Sequence, residues 1–236
     1  MPTKRTTSKS PHTLAIDIGG TGIKAMLLDA SGKALTERLR VKTPQPATPK
    51  NILSAIKEIA EKVGDFDRVG AGFPGVVSNG VVKTAPHLHK SWEGIRLDSE
   101  LQKLLRKPAR VANDAVVQGY HAISGRGVEL VITLGTSMGS AIYVDGHAVP
   151  MEMGHHPLRH GHAYEDEVGN EALCKDGKKK WNKHLKRVIE LLDRTFNYDR
   201  IYIGGGNAEK IDFKLPKNAH IISNAEGLYG VMALWR

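Results

Sequence analysis

Asp17 is the only acid in LAIDIGGTGIKAML (residues 14–27), a run otherwise made of apolar residues, glycine, one threonine and one lysine. Gly19, Gly20 and Gly22 let the backbone come close to a ligand and take positive φ, so the turn can present N–H groups and the Thr21 hydroxyl to an anion. A carboxylate beside bound phosphate is repelled unless a cation lies between them. The combination therefore points to phosphate with Mg²⁺, and Asp17 would hold the ion directly or through water. A plain glycine hairpin with a solvated Asp17 has the same letters.

Four more constellations carry chemistry. Asn113 and Asp114 end the run ARVAND, where α/β sheets place ligand groups. Asp114 is a candidate base for a hydroxyl nucleophile and Asn113 a candidate to hold a second hydroxyl. The plain alternative has Asp114 capping a helix that starts at Ala115. In EMGHH, Glu152 and His155 are three apart and converge on one polyol or one metal. His155, His156, His160 and His162 cluster in sequence, either as zinc ligands or as a polar loop without a ligand. No third ligand stands at a zinc spacing, and sugar hydroxyls suit a carboxylate and an imidazole better, so no zinc is expected. Gly135 and Thr136 can bind a transferable phosphoryl group through N–H and hydroxyl. Gly204, Gly205 and Gly206 follow IYI and leave room for a phosphate chain or the flat part of a nucleotide, although three glycines after a strand also make an ordinary turn.

These residues need elements to hold them. Leu14, Ala15, Ile16 and Ile18 read as one buried strand, and Ile23 to Leu28 as its hairpin partner. TPQPATP (43–49) is an irregular crossover, and KNILSAIKEIAEKV (50–63) spaces its apolar residues as an amphipathic helix. RVGAGFPGVV reads as strand into turn. Helices are expected around 101–106 and 115–123, with ARVAND as the strand between them. VELVITLGTSMGSAIYVDG then repeats strand, glycine-threonine turn, strand. A helix over 185–196, the strand RIYIGGG, a short strand HIIS and a helical close, NAEGLYGVMALW, complete the chain. The alternation predicts an α/β fold with duplicated β-rich halves, two lobes gripping a phosphate chain between their turns.

The chain has 236 residues, enough for one large or two modest domains, and its hydrophobic content of 40% supports real cores. No apolar run is long enough to span a bilayer, and MPTKRTTSKS lacks a secretory core, so no membrane partner and a cytoplasmic location are expected. That tail is polar and basic and is expected to be disordered. Cys174 is the single cysteine, which excludes an internal disulfide. The net charge of +9 favours polyanionic partners, although no nucleic-acid reader motif is present. The densest basic stretch, KDGKKKWNKHLKR, has seven Lys or Arg and one acid. It reads either as a solvated helix face or as a track, with Lys175, Lys178, Lys179, Lys180 and Lys183, for an anion longer than ATP.

Taken together, DIGGTGIK, VANDA, TLGTSMGSA, EMGH and IYIGGG resemble, in order and spacing, the motifs of the ROK family of sugar kinases over residues 12 to 234. TPQPATP, FPGVVSNGVVKTA and KSW are similar to its polyphosphate glucokinase branch. The resemblance implies a two-lobed, actin-like ATPase architecture of ribonuclease-H type. It implies a basic tail at 1–11, a small lobe over 12–112 joined by 224–236, and a larger lobe over 113–223. It assigns the base to Asp114 and sugar contacts to Asn113, Glu152, His155 and a glutamate in HAYEDE, Glu165 with Glu167 as the alternative. Phosphate contacts fall on Gly19, Gly20, Thr21, Lys24, Gly135, Thr136 and Gly204 to Gly206. The implied reaction moves a phosphoryl group from polyphosphate, ATP or both to the 6-hydroxyl of glucose, with Mg²⁺, in a homodimer. The alternatives are an ATP-dependent kinase for fructose or mannose, and a silent sugar sensor. Ser137 departs from the glycine usual in the second phosphate motif, the cysteine cluster that binds zinc in many ROK kinases is absent, and no DNA-binding segment is read ahead of residue 12.

Overall fold

The structure is a computed structural model and describes residues 10–236, so the expectation for most of the N-terminal tail lies outside the described residues. The chain opens with the hairpin β1 (Thr13–Ile18) and β2 (Gly22–Leu28), followed by β3 (Leu39–Lys42). Helix α1 (Pro49–Val63) starts at Thr48, whose hydroxyl accepts from the Asn51 N–H, with Pro49 in the first turn where no N–H is missed. Its Ile52, Ile56, Ile59 and Val63 recur every three or four residues and are buried together. β4 (Arg68–Phe73), a small hairpin of β5 (Val77–Ser78) and β6 (Val81–Val82), α2 (Leu97–Leu105), β7 (Ala109–Asn113) and α3 (Asp114–Ala122) complete the first half.

The second half has β8 (Val128–Leu134), β9 (Met138–Val144), β10 (His147–Met151), the short pair β11 (Pro157–Arg159) and β12 (His162–Ala163), and α4 (Tyr164–Val168). Helix α5 (Asn170–Phe196), β13 (Arg200–Gly204), β14 (Ala219–Ile221) and a 3₁₀ segment, Asn224–Trp235, follow.

The duplication is plain in the strand orders, β3-β2-β1-β4-β7 in one sheet and β10-β9-β8-β13-β14 in the other. In each, three antiparallel strands are extended by two parallel ones. Both glycine-threonine turns therefore occupy the same place in their sheets.

Side chains alternate across β1. Leu14, Ile16 and Ile18 join the core under α1 and α2, whereas Ala15 packs with Met26, Val117, Leu228 and Val231. Helix α3 faces both halves, with Val117 in that second cluster and Val116 against Val131, Ala141 and Tyr143 of the other sheet. The residue that opens α3 consequently lies between the two sheets.

Three expectations are corrected. The helix expected over 185–196 begins at Asn170. Its first half is lysine-rich and passes Gly177 at φ +76, which breaks the apolar period that a sequence reading depends on. The sequence signals no regular structure between 147 and 168, because the strands and α4 found there are too short to set a period. The glycines of the first turn do not have positive φ. They are needed for space: a Cβ on Gly19 would lie 2.9 Å from the Gly22 carbonyl oxygen, and one on Gly20 would lie 3.3 Å from that of His87.

Candidate active site

A cleft of about 270 Å³ opens between the two sheets. On one wall the β1–β2 turn supplies Asp17, Gly19, Gly20, Thr21 and Lys24, and on the other the β8–β9 turn supplies Gly135 and Thr136. Asn113 and Asp114 enter where β7 becomes α3, Glu152 and His155 follow β10, and Gly205 and Gly206 follow β13. Residues from these five places in the chain thus share one cavity.

Asp17 and Lys24 are direct cross-strand partners, and the ammonium lies 2.8 Å from Oδ2. The counter-charge that Asp17 needs is thus partly supplied by the protein. Among the described residues no group of three His, Cys, Asp or Glu is set to hold a metal. A single cleft-facing carboxylate nevertheless fits Mg²⁺, which is commonly bound by one or two carboxylates together with substrate phosphates.

Asn113 settles how α3 begins. Its Oδ1 accepts the N–H groups of Ala115 (2.9 Å) and Val116 (3.2 Å), and its Nδ2 donates to the Gly75 carbonyl at 3.0 Å. The cap is Asn113 rather than Asp114, and Asp114 is left at the first helical position with its carboxyl on the cleft. Withdrawal from bulk water raises its pKa from 3.8 to about 7, helped by the negative charge of Asp17 and then of Glu152, against the Ala115 N–H, which favours the charged form. A carboxyl with this value exchanges its proton near neutral pH.

The Met153–His155 turn presses on β9, since a Cβ on Gly154 would lie 2.6 Å from the Met138 carbonyl oxygen, and the Met153 N–H donates to Ser140 Oγ at 3.0 Å. This fixes Glu152 and His155 at the rim of the cleft. Burial raises the Glu152 pKa, with His155 opposing and Glu165 adding to the rise. His155 Nδ1 lies 3.2 Å from Glu165 Oε1.

Helix α4 separates the two candidate glutamates. Glu165 turns to His155, whereas Glu167 is buried against Arg159 (2.8 Å) and His184 (2.6 Å). The paired hydrogen bonds from Arg159 hold the Glu167 carboxyl below its ordinary pKa. Only Glu165 is joined to the residues of the cleft.

At the β13 turn, Gly205 is the glycine the fold requires, with φ +91 and a Cβ position 2.1 Å from the Leu134 carbonyl oxygen. Gly204 does not line the cleft; it ends β13 beside the Gln118 side chain. The five candidate lysines also lie outside the cleft, on α5, with Lys180 paired to Asp176 (2.8 Å) and Lys178 near Asp212 (3.8 Å).

Arg38, His87 and Gln118 line the cleft as well and lie outside every motif of the sequence; Thr133, the first residue of TLGTSMGSA, lines it too. His87 Nε2 lies 2.9 Å from Ser137 Oγ, so the residue that departs from the family pattern bonds across the cleft. Thr133 was the one with a local signal, because it lies on a strand two residues before Gly135.

The ROK family profile matches residues 13–181. A polyphosphate glucokinase from Mycobacterium tuberculosis (strain CDC 1551 / Oshkosh) is 32% identical over 215 residues, covering 87% of this chain and 81% of its own. The crystal structure of an inorganic polyphosphate/ATP-glucomannokinase from Arthrobacter sp. strain KM superposes with a TM-score of 0.85 at 33% identity, covering 96% of this chain and 100% of that one. A ROK family glucokinase from Streptomyces griseus, solved with glucose and AMPPNP, has a TM-score of 0.78 at 19% identity over 94% and 98% of the two chains, a likeness of fold. The two-lobed actin-like ATPase fold is thus shared with these two solved structures. With a family match over residues 13–181, and relatives alike over most of both lengths, this chain belongs to the ROK family.

Proposed function

We propose that this ROK protein is a glucokinase that uses polyphosphate, ATP or both, and that it phosphorylates the 6-hydroxyl of glucose. The observation that carries the reading is Asp114, a carboxyl with a pKa raised to about 7, set between two glycine-threonine turns and beside Glu152 and His155. The named activities of the Mycobacterium and Arthrobacter relatives support the donor and the sugar.

In this reading Glu152, His155, Glu165 and the outer edge of Asn113 hold the sugar hydroxyls. Gly19, Gly20, Thr21, Lys24, Gly135, Thr136 and the Gly204–Gly206 turn hold the donor phosphates, with Gly204 acting through the backbone shape of the turn. Asp114 takes the proton from the attacking hydroxyl as its oxygen forms the bond to phosphorus. The bond from that phosphorus to the donor's bridging oxygen breaks, leaving ADP or a chain one phosphate shorter. Asp17, with the donor phosphates, would hold Mg²⁺, which would neutralise donor charge. Residues 12–112 with 224–236 form one lobe and 113–223 the other. Lys175, Lys178, Lys179, Lys180 and Lys183 lead away from the cleft as a track for a long donor. A cytoplasmic homodimer completes the reading, its stoichiometry open to light scattering.

The deciding experiment is a coupled glucose-6-phosphate assay with polyphosphate and ATP in parallel. Absence of product with both donors defeats the reading. The glucomannokinase relative favours mannose as a second acceptor to run beside glucose.

A further inference from the structure

A second concavity, of about 560 Å³, lies outside the cleft along the later part of α5. Its lining includes Lys183, Lys186, Arg187 and Arg194 from the helix, with Arg159 contributed by β11. One acid, Glu190, is among them. On the helix Lys183, Arg187, Glu190 and Arg194 recur every three or four residues, which stacks them on one face, opposite the buried Trp181, Leu185, Val188 and Leu192. Lys183, Lys186, Arg187 and Arg194 form no ion pair among the described residues.

One end of this groove is rigid. Arg159 is held by both oxygens of Glu167, at 3.2 and 2.8 Å, and touches His184 Nε2 at 3.2 Å. Glu167 has a side-chain exposure of 7%, so this anchor is built into the protein rather than lying on its surface.

The helix also connects the groove to the cleft. The N–H of its first residue, Asn170, donates to the Gly135 carbonyl in the second phosphate turn at 3.0 Å. From there two helical segments joined at the non-helical Gly177 lead to Lys183, which at roughly 1.5 Å per helical residue lies at most about 20 Å along the chain path. Lys183, Lys186, Arg187 and Arg194, without ion-pair partners among the described residues and outnumbering the single acid Glu190 in a concave surface, suit a long flexible polyanion that begins in the cleft. ATP ends before reaching them.

Resting on the kinase reading above, we propose that the groove of Arg159, Lys183, Lys186, Arg187 and Arg194 binds the distal part of an inorganic polyphosphate chain whose terminal phosphate is in the cleft. It is a binding site that raises affinity for long chains and takes no part in the chemistry. Arginine makes paired N–H contacts with phosphate oxygens, and the lysines add charge without geometric demand.

The test is the triple variant Lys186→Gln, Arg187→Gln, Arg194→Gln, all on exposed helix surface. KM should rise at least about tenfold for long-chain polyphosphate, with kcat kept, while KM for ATP and for a chain too short to leave the cleft stays within about twofold. Direct binding of long-chain polyphosphate by calorimetry, without sugar, should weaken in step and lose part of its salt dependence, because exposed charge is screened beyond about 10 Å at 0.1 M salt. Unchanged long-chain KM and binding overturn the groove, as does an equal loss with ATP. Tighter binding of single-stranded DNA of matched charge than of polyphosphate overturns it in favour of a nucleic-acid site. If the wild-type protein transfers no phosphate from polyphosphate, the kinase reading fails, and calorimetry still decides whether the groove holds the chain.

Discussion

Asp114→Asn should abolish turnover and stabilise the protein, and the second effect should depend on pH. The fold raises the Asp114 pKa from 3.8 to about 7, so the charged carboxylate is worse off folded than unfolded. Linkage gives the sign: for a raised carboxyl, stability falls as pH climbs from about 3.8 to about 7 and then levels off. At roughly 1.4 kcal/mol per pH unit the full penalty is about 4 kcal/mol. The carboxyl faces a cleft that admits water, so about 2 kcal/mol is the expected gain for the neutral isostere at pH 8. For a chain of this length that is a rise in Tm of about 4–8 °C, and at pH 5 about a third of it. Calorimetry at the two pH values measures it, and turnover should fall by about 10²- to 10⁴-fold. Because Asp17 is the next cause after burial, the gain should shrink when Asp17 is already Asn. An equal Tm gain at pH 5 and pH 8, no gain at pH 8, or retention of more than about a tenth of kcat would refute the reasoning.

Three further outcomes follow from the same site. In the wild-type protein kcat/KM for the sugar should rise with pH through about 7, as Asp114 loses its proton; a flat profile from pH 6 to 8 would move the base elsewhere. Glu152→Gln should raise the sugar KM about 5- to 150-fold, the equivalent of roughly 1–3 kcal/mol for an interaction made in a partly buried site, and titration calorimetry with glucose should show the same loss. Asn113→Ala removes two capping bonds and the tie to Gly75, so it should lower stability by about 1–2 kcal/mol in urea denaturation and depress kcat by displacing Asp114; unchanged stability would contradict the cap.

Much of this was legible in the letters. Short apolar runs on either side of the Asp17–Gly22 segment give β1 and β2, and the repeat of strand, turn, strand at 128–146 gives the second sheet its matching hairpin. The signal there is an almost unbroken apolar run bounded by glycines, because these strands are buried on both faces. Periodicity failed over 170–184, where Gly177 and a run of lysines leave no apolar period although the chain is helical around them. The tail before residue 10 lies outside what the structure describes.

What only tertiary structure decided concerns side chains brought together from distant positions. Sequence left Asp114 either a base or a helix cap, and the contacts of Asn113 with Ala115, Val116 and Gly75 assign the cap to Asn113. The resemblance favours Glu165 with Glu167 as the alternative; on the short α4 they point apart, one to His155 and the other to Arg159 and His184. The pKa of Asp114 depends on Asp17 and Glu152, which approach it only because α3 lies between two sheets. A residue's type states which charges and hydrogen bonds it can offer, and local spacing states which face it occupies. Its proton affinity depends on the distance to other charges and to water, and folding alone sets those distances.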